Sequence, residues 1–241
     1  MSPSRLPDQL VKLALVSGEF PAIGEGLKQL GVTPVETSSD PRLPVPVAHH
    51  PDMQACLLPD GPFVLRGSPL QSKLAAYGCQ ASETVACPEA KYPKDVLCNG
   101  FVWGNCLVGN PHTLDTGIQR AAQLQGLEML AVRQGYAACS VALVDATSAI
   151  TADIGMAKQL ESHGFSILRI RTGFIRLPGY DTGFIGGCCG KLAPGLLAVS
   201  GSIGCHPDGE AIQRFVECRG VSIIELSQGP LIDIGGILPI L

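Results

Sequence analysis

Five short segments of this chain read VAHHPDMQ, KYPKDVL, QGYAACSV, PGYDTGF and GPLIDIG. Between them they carry His50, Asp52, Cys139, Asp181 and Asp233, at roughly matching positions beside apolar runs in which charge is scarce. One thiol, one imidazole and three carboxylates in a single cleft have a definite chemistry. Carboxylates bind a planar cation such as guanidinium through paired hydrogen bonds. A thiol can attack the carbon of that cation, and an imidazole can carry the protons.

For these loops to meet, the rest of the chain must repeat. Five glycines, Gly31, Gly78, Gly126, Gly164 and Gly220, each follow a helix-like stretch and precede a strand-like run. That is the position at which a helix stops on a left-handed residue. The runs LALVSGEFP, FVLRGSPL, CLVGNPH, AITADIG and LLAVSGSIG each break into small or polar residues at a helix start. The pattern predicts helices near 21–30, 70–77, 114–124, 155–163 and 209–219, each with about three short strands. Repeat five lacks a strand, and LALVS near Leu13–Ser17 is spare. Pairing the two closes a ring and leaves only short, protected sheet edges. Equivalent loops then collect at one end of the ring. With no long linker or shift in composition, residues 1–241 are expected to form one domain.

Composition narrows the partners. The 241 residues are 46% hydrophobic and 16% charged, with a net charge of −4 and no long basic run. Nucleic acid is therefore not expected as a partner. No apolar stretch reaches the roughly 18 residues needed to cross a bilayer, so no membrane role is expected. The N-terminal apolar run is too short and interrupted for a secretory signal, which points to the cytoplasm. The ten cysteines sit mostly in apolar runs and read as small buried hydrophobes rather than as a disulfide framework. No CxxC pair occurs, and Cys188, Cys189, Cys205 and His206 lack metal-ligand spacing, so no metal is expected. The segment GFIGGCCGKL (183–192) fails as a phosphate loop: Ile185 takes the place of the first glycine and Leu192 that of the Ser/Thr. Its glycines suit close backbone approach.

A ββαβ unit used five times resembles the pentein, or guanidino-group-modifying enzyme, fold, and the whole chain resembles an uncharacterised bacterial family assigned to it. Deiminases of this fold carry His-x-Asp, matched by His50-Pro51-Asp52; Asp-Thr, matched by Asp181-Thr182; and an acid before Gly-Gly, matched by Asp233-Ile234-Gly235-Gly236. Their nucleophile follows a helix, a strand and a Gly-containing loop, as Cys139 does in LQGLEMLAVRQGYAACSVALV. Around the ring the order agrees if this chain is a circular permutation of the layout in arginine deiminase and dimethylarginine dimethylaminohydrolase, with DVLCNGF as a spacer module. Asp233 stands where the enzymes more usually have Glu, and Ile234 is inserted before the glycines. Aligning on Ser140 would put Ala138, not Cys139, at the nucleophile position.

The resemblance implies a five-fold pseudosymmetric α/β propeller. It implies a cysteine-dependent hydrolase or amidinotransferase for a small guanidino or amidino cation, working through a covalent thiouronium-type intermediate. Cys139 would be the nucleophile, His50 the proton carrier, Asp233 a group that orients His50 or binds substrate, and Asp52 and Asp181 the substrate clamps. No metal or organic cofactor is needed. The alternative is a non-catalytic pentein that binds a macromolecule or a small cationic ligand.

Overall fold

The computed structural model describes residues 4–241. In chain order the elements are β1 (Leu13–Ser17), α1 (Pro21–Gln29), β2 (Thr33–Thr37), α2 (Pro51–Gln54), β3 (Ala55–Leu58), β4 (Gly61–Val64), α3 (Leu70–Ala75), β5 (Ser82–Glu83), β6 (Phe101–Trp103) and β7 (Cys106–Gly109). There follow α4 (Thr116–Leu124), β8 (Glu128–Ala131), α5 (Ala137–Ser140), β9 (Val141–Leu143), β10 (Ser148–Thr151), α6 (Ile154–Ser162), β11 (Ser166–Arg169), β12 (Cys189–Ala193), β13 (Leu196–Val199), α7 (Gly209–Glu217), β14 (Ser222–Glu225) and β15 (Leu238–Pro239).

The long helices are made by one local rule applied five times. Each buries an i,i+4 pair: Ile23/Leu27, Leu70/Leu74, Ile118/Ala122, Met156/Leu160 and Ile212/Val216. That spacing puts both side chains on one helix face. Four residues after the second member stands a glycine at positive φ: Gly31, Gly78, Gly126, Gly164 or Gly220. The next amide turns back to the carbonyl of that second member, as in Val32 N to Leu27 O at 3.0 Å and Leu127 N to Ala122 O at 2.9 Å. This closes the helix end and launches the strand that follows. At the other end, Asp115 accepts from Gly117 N and Asp153 from Met156 N, caps of about 1 kcal/mol each.

Five three-stranded sheets result: β15-β1-β2, β3-β4-β5, β6-β7-β8, β9-β10-β11 and β12-β13-β14. In each, the first strand is antiparallel to the second, and the second is parallel to the third across a helix. The N-terminal strand does close the ring: Ala14 faces Pro239 and Leu15 faces Leu238. Burial falls from the first strand of each sheet to the third. β3, β9 and β15 are wholly buried, whereas β5 and β8 are largely exposed and β11 and β14 are half-buried to exposed. The sheets therefore radiate from an axis lined by β3, β6, β9, β12 and β15. This is the five-fold α/β propeller expected from the repeats.

One detail departs from the sequence reading. The first strands begin later than their apolar runs suggest. MQACLL opens with the end of the helical turn α2, GFIGG runs irregularly into a 3₁₀ turn at Gly186–Cys188, and DVLCNGF stays in turns and irregular backbone until Phe101. The backbone just before each axial strand bends instead of pairing, and that bend aims side chains at the axis.

Candidate active site

Each first strand is preceded by one of these bent segments, and three of them deliver four reactive side chains to a common place. His50 precedes the turn α2, in which Asp52 lies; Cys139 sits in the turn α5; Asp233 opens the glycine turn before β15. All four are shut away from solvent, with exposures of 2% for His50, 0% for Asp52, 3% for Cys139 and 1% for Asp233. The short turns α2 and α5 explain how: each places its reactive residue inside a helical turn and then enters an axial strand at once.

Asp233 is the best-anchored member. Its Oδ2 accepts from Phe184 N at 2.8 Å and its Oδ1 from Gly235 N at 3.0 Å. His50 Nδ1 lies 3.7 Å from the same Oδ1, too long for a hydrogen bond. Two glycines are obligatory here. A Cβ on Gly187 would collide with the Asp233 carboxylate, and Gly235 adopts φ +78° with the His50 side chain against its α-carbon. The second of these supports a close approach at the Asp233-Ile234-Gly235-Gly236 turn; the first accounts for part of the glycine-rich GFIGGCCGKL segment.

Asp52 has the opposite environment. Its amide is tied to Gly235 O at 3.1 Å, yet neither carboxylate oxygen has a hydrogen-bond donor satisfying it among the described residues. Burial, then the charge of Asp233, pushes the Asp52 carboxyl up to about 7; contact with the Cys139 thiol and the positive charge of Arg5 oppose this. Asp233 is itself pushed up to about 6 by burial, against the pull of its two amide donors. His50 is pushed down to about 3 by burial and by the neighbouring His49. At neutral pH its contact with Asp233 is therefore one of a neutral imidazole with a carboxylate, not an ion pair. The Cys139 thiol is held well above its ordinary range by burial and by the two acids, and Asn99 opposes them.

Asn99 is the member that sequence reasoning missed. Its Nδ2 donates to Cys139 Sγ at 2.9 Å, and its Oδ1 accepts from Ala138 N at 2.8 Å and Cys139 N at 3.3 Å. One buried amide thus fixes both the backbone and the sulfur of the cysteine. It comes from DVLCNGF, the module read as a spacer. A polar side chain with both a donor and an acceptor, set in an apolar run, was the available signal. This contact also bears on the Ala138/Cys139 ambiguity: the thiol of Cys139 meets Asn99 and Asp52, while Ala138 turns its carbonyl to Arg5 Nη1 at 3.2 Å.

Asp181 does not join the buried group. It lies exposed on a bend and makes no hydrogen bond or ion pair among the described residues. It is two residues from Gly183, whose α-carbon packs on the Asp233 side chain, so it stands near the buried acids on the solvent side. Among the described residues no group of His, Cys, Asp and Glu is arranged to hold a metal ion, and no helix is long and apolar enough to cross a membrane.

Residues 15–238 match the model of DUF6873, a family of unknown function. The chain belongs to that family. No curated protein matches it. Among solved structures it is similar to the DDAH of Pseudomonas aeruginosa, solved as a Cys-to-Ser mutant complexed with citrulline, with a TM-score of 0.58 and 10% identity over 90% of this chain and 92% of that one. It is similar to SxtG, an amidinotransferase from Microseira wollei in the saxitoxin biosynthetic pathway (TM-score 0.59, 9% identity, 100% of this chain and 97% of that one). It is also similar to the C. jejuni agmatine deiminase (TM-score 0.56, 12% identity, 94% and 89%). At these identities the likeness is one of fold: this DUF6873 chain has the pentein fold of the guanidino-group-modifying enzymes.

Proposed function

We propose that this protein is a cysteine-dependent enzyme acting on a small guanidino or amidino cation, as a hydrolase or an amidinotransferase. One observation carries the reading: a fully buried acid, Asp52, has no donor beside it other than the Cys139 thiol, and is otherwise unsatisfied. An uncompensated buried charge is costly, and a planar cation with paired N–H donors is what would relieve it. The solved structures of the same fold are of enzymes that carry these names, which agrees with the reading.

In this reading Asp52 grips one nitrogen edge of the cation. Asp181 supplies the second grip when its bend folds onto the bound substrate. The cation reverses the electrostatics of the site: it draws Asp52 back to a carboxylate and favours the Cys139 thiolate. The sulfur, steadied by Asn99, adds to the central carbon. The thiol proton, relayed by His50, leaves with the departing amine, and a thiouronium adduct remains on Cys139. Water then attacks that carbon while His50 takes its proton and returns it to the sulfur; an acceptor amine in place of water gives amidino transfer. Asp233, 3.7 Å from His50 Nδ1, orients the ring by its charge rather than by a hydrogen bond.

The test is alkylation by chloroacetamidine, with adducts mapped by mass spectrometry. Cys87, Cys205 and Cys218 are exposed and serve as internal controls. Cys139 is expected to react first although it is buried, and Asp52→Asn is expected to abolish that preference. Reaction confined to the three exposed thiols would refute the proposal.

A further inference from the structure

Arg5 belongs to no strand or helix, and the scheme above does not use it. Its stretch of chain is pinned at two points. Leu6 packs against the cluster that contains Phe101, Trp103 and Val141, and Val11 N donates to Leu192 O at 2.8 Å. Arg5 Nη1 donates to Ala138 O at 3.2 Å, in the turn before β9. Its guanidinium lies 5.9 Å from the centre of the Phe101 ring in β6. With Val141 of β9, Cys189 of β12 and Pro239 of β15 it lines a cavity of about 20 Å³, room for roughly one water. Its charge also acts on Cys56 in β3. These are the five axial strands, and the one side chain that addresses them all stands at the ring axis.

It stands beyond the buried acids. Cys56 follows Asp52 in the chain, Val141 follows Cys139 and Pro239 follows Asp233, and each of these strands runs on along the axis from its bent segment. Asp181 marks the solvent side of the site, and Arg5 the far side. Among the described residues no lysine or arginine pairs with Asp52 or Asp233, and no carboxylate pairs with Arg5. The two acids are buried, and the charge of Asp233 resists ionisation of Asp52. A fixed cation within the same low-dielectric core offsets that resistance. The neighbouring groups leave this role to Arg5. Lys191 lines the same cavity but turns its Nζ to Pro194 O at 2.5 Å, and burial holds it down to about 8. Burial pushes the thiols of Cys56 and Cys189 up to about 12, so both stay neutral, as His50 does. A guanidinium keeps its charge throughout.

We propose that Arg5 is a positioning residue of the site: it closes the inner end of the axis, holds the turn that carries Cys139 by its Ala138 carbonyl, and supplies from behind the fixed positive charge that faces Asp52. With both acids ionised, Asp52, Asp233 and Arg5 together carry one negative charge, which one guanidinium cation neutralises. That consequence rests on the reading of Asp52 as the grip on the cation; the charge on Asp52 itself does not.

The experiment titrates the aspartate carboxyl carbons of the full chain by NMR between about pH 4 and 9, with Asp52→Asn identifying the Asp52 signal, since Asp52 and Asp233 titrate as a pair. Arg5→Gln keeps a donor for Ala138 O and loses the charge; Arg5→Lys keeps the charge. In Arg5→Gln the Asp52 midpoint is expected to move up by about one pH unit, and in Arg5→Lys to stay near that of the parent. Labelling of Cys139 by chloroacetamidine at about pH 7 is expected to slow roughly fivefold in Arg5→Gln, as the carboxylate fraction falls, and to recover in Arg5→Lys. An Asp52 midpoint that Arg5→Gln leaves in place overturns the inference, whatever happens to labelling. So does a rise that Arg5→Lys shares, which would make the shape of the guanidinium and not its charge the cause. The NMR readout needs no substrate, so a raised midpoint in a protein whose Cys139 never labels refutes the reading of the site as an enzyme and upholds Arg5 as the charge behind its acids.

Discussion

The rim of this ring and its axis obey different rules. At the rim, five helices repeat one arrangement: a buried i,i+4 pair, then a glycine at positive φ, then an amide returning to the second member of the pair. At the axis, five segments in equivalent places carry five different sets of side chains. His50 with Asp52, Asp95 with Asn99, Cys139, a glycine cluster and Asp233 share a backbone role and no chemistry. Repetition builds the ring, and the departures from repetition supply its reactive groups. A ring of like modules superposes on another in several phases, so likeness of fold does not say which segment should hold a nucleophile. Convergence of side chains does.

The contrast can be broken from either side. Asp52→Asn is an axial change that removes a carboxylate with no donor of its own. It is expected to lower Cys139 labelling by amidine reagents about a hundredfold or more, while the fold is unharmed, since it relieves a buried charge. Mass spectrometry and a thermal melt read both. Leu74→Ala is the corresponding change at the rim, at a fully buried position. It is expected to cost about 2–5 kcal/mol of stability, measured by denaturant unfolding, and to leave the labelling pattern of the folded protein as it was.

The pH dependence separates the regions more finely. The Asp52 carboxyl is raised in the fold from 3.8 to about 7, so between those values the folded state binds more protons than the unfolded one. The contribution of Asp52 is then fully present below about pH 4 and is lost as pH rises through 7, by up to a few kcal/mol. His50, depressed to about 3, works in the other direction and is common to both proteins. Asp52→Asn should therefore gain stability relative to the parent as pH rises from 4 to 7, whereas Leu74→Ala should run parallel to it. A constant difference for Asp52→Asn would show that its carboxyl is not raised. The smallest expected effect is that of Asn99→Ala. Loss of its hydrogen bonds to the Cys139 backbone and sulfur should slow labelling roughly tenfold and cost about 1–3 kcal/mol. A variant that loses stability but keeps the labelling rate would make Asn99 structural only.

The sequence carried the rim almost completely. Val32, Cys79, Leu127, Phe165 and Val221 follow their glycines in the same way each time, and helix ends are local events governed by neighbours in the chain. Ring closure was legible too, because a spare strand at Leu13–Ser17 and a missing one after Ser222–Glu225 leave one pairing that satisfies both. The candidate site was legible in part. His50, Asp52, Cys139 and Asp233 stood out as polar residues in apolar surroundings. Asn99 did not, because it sits in the segment with the weakest repeat signal. Asp181 was grouped with the others by loop position, yet it points to solvent.

What the sequence determined by itself was therefore the architecture, since periodic apolar spacing and glycine helix stops act over fewer than ten residues. What only the tertiary structure decided was which side chains meet. The bent segments before the axial strands set that, and a slip of one residue there exchanges Cys139 for Ala138 at the axis. The protonation states follow from the same step. Asp52 near 7 and His50 near 3 are consequences of burial and of neighbours 181 and 1 residues away along the chain, Asp233 and His49, and burial exists only once the ring has closed.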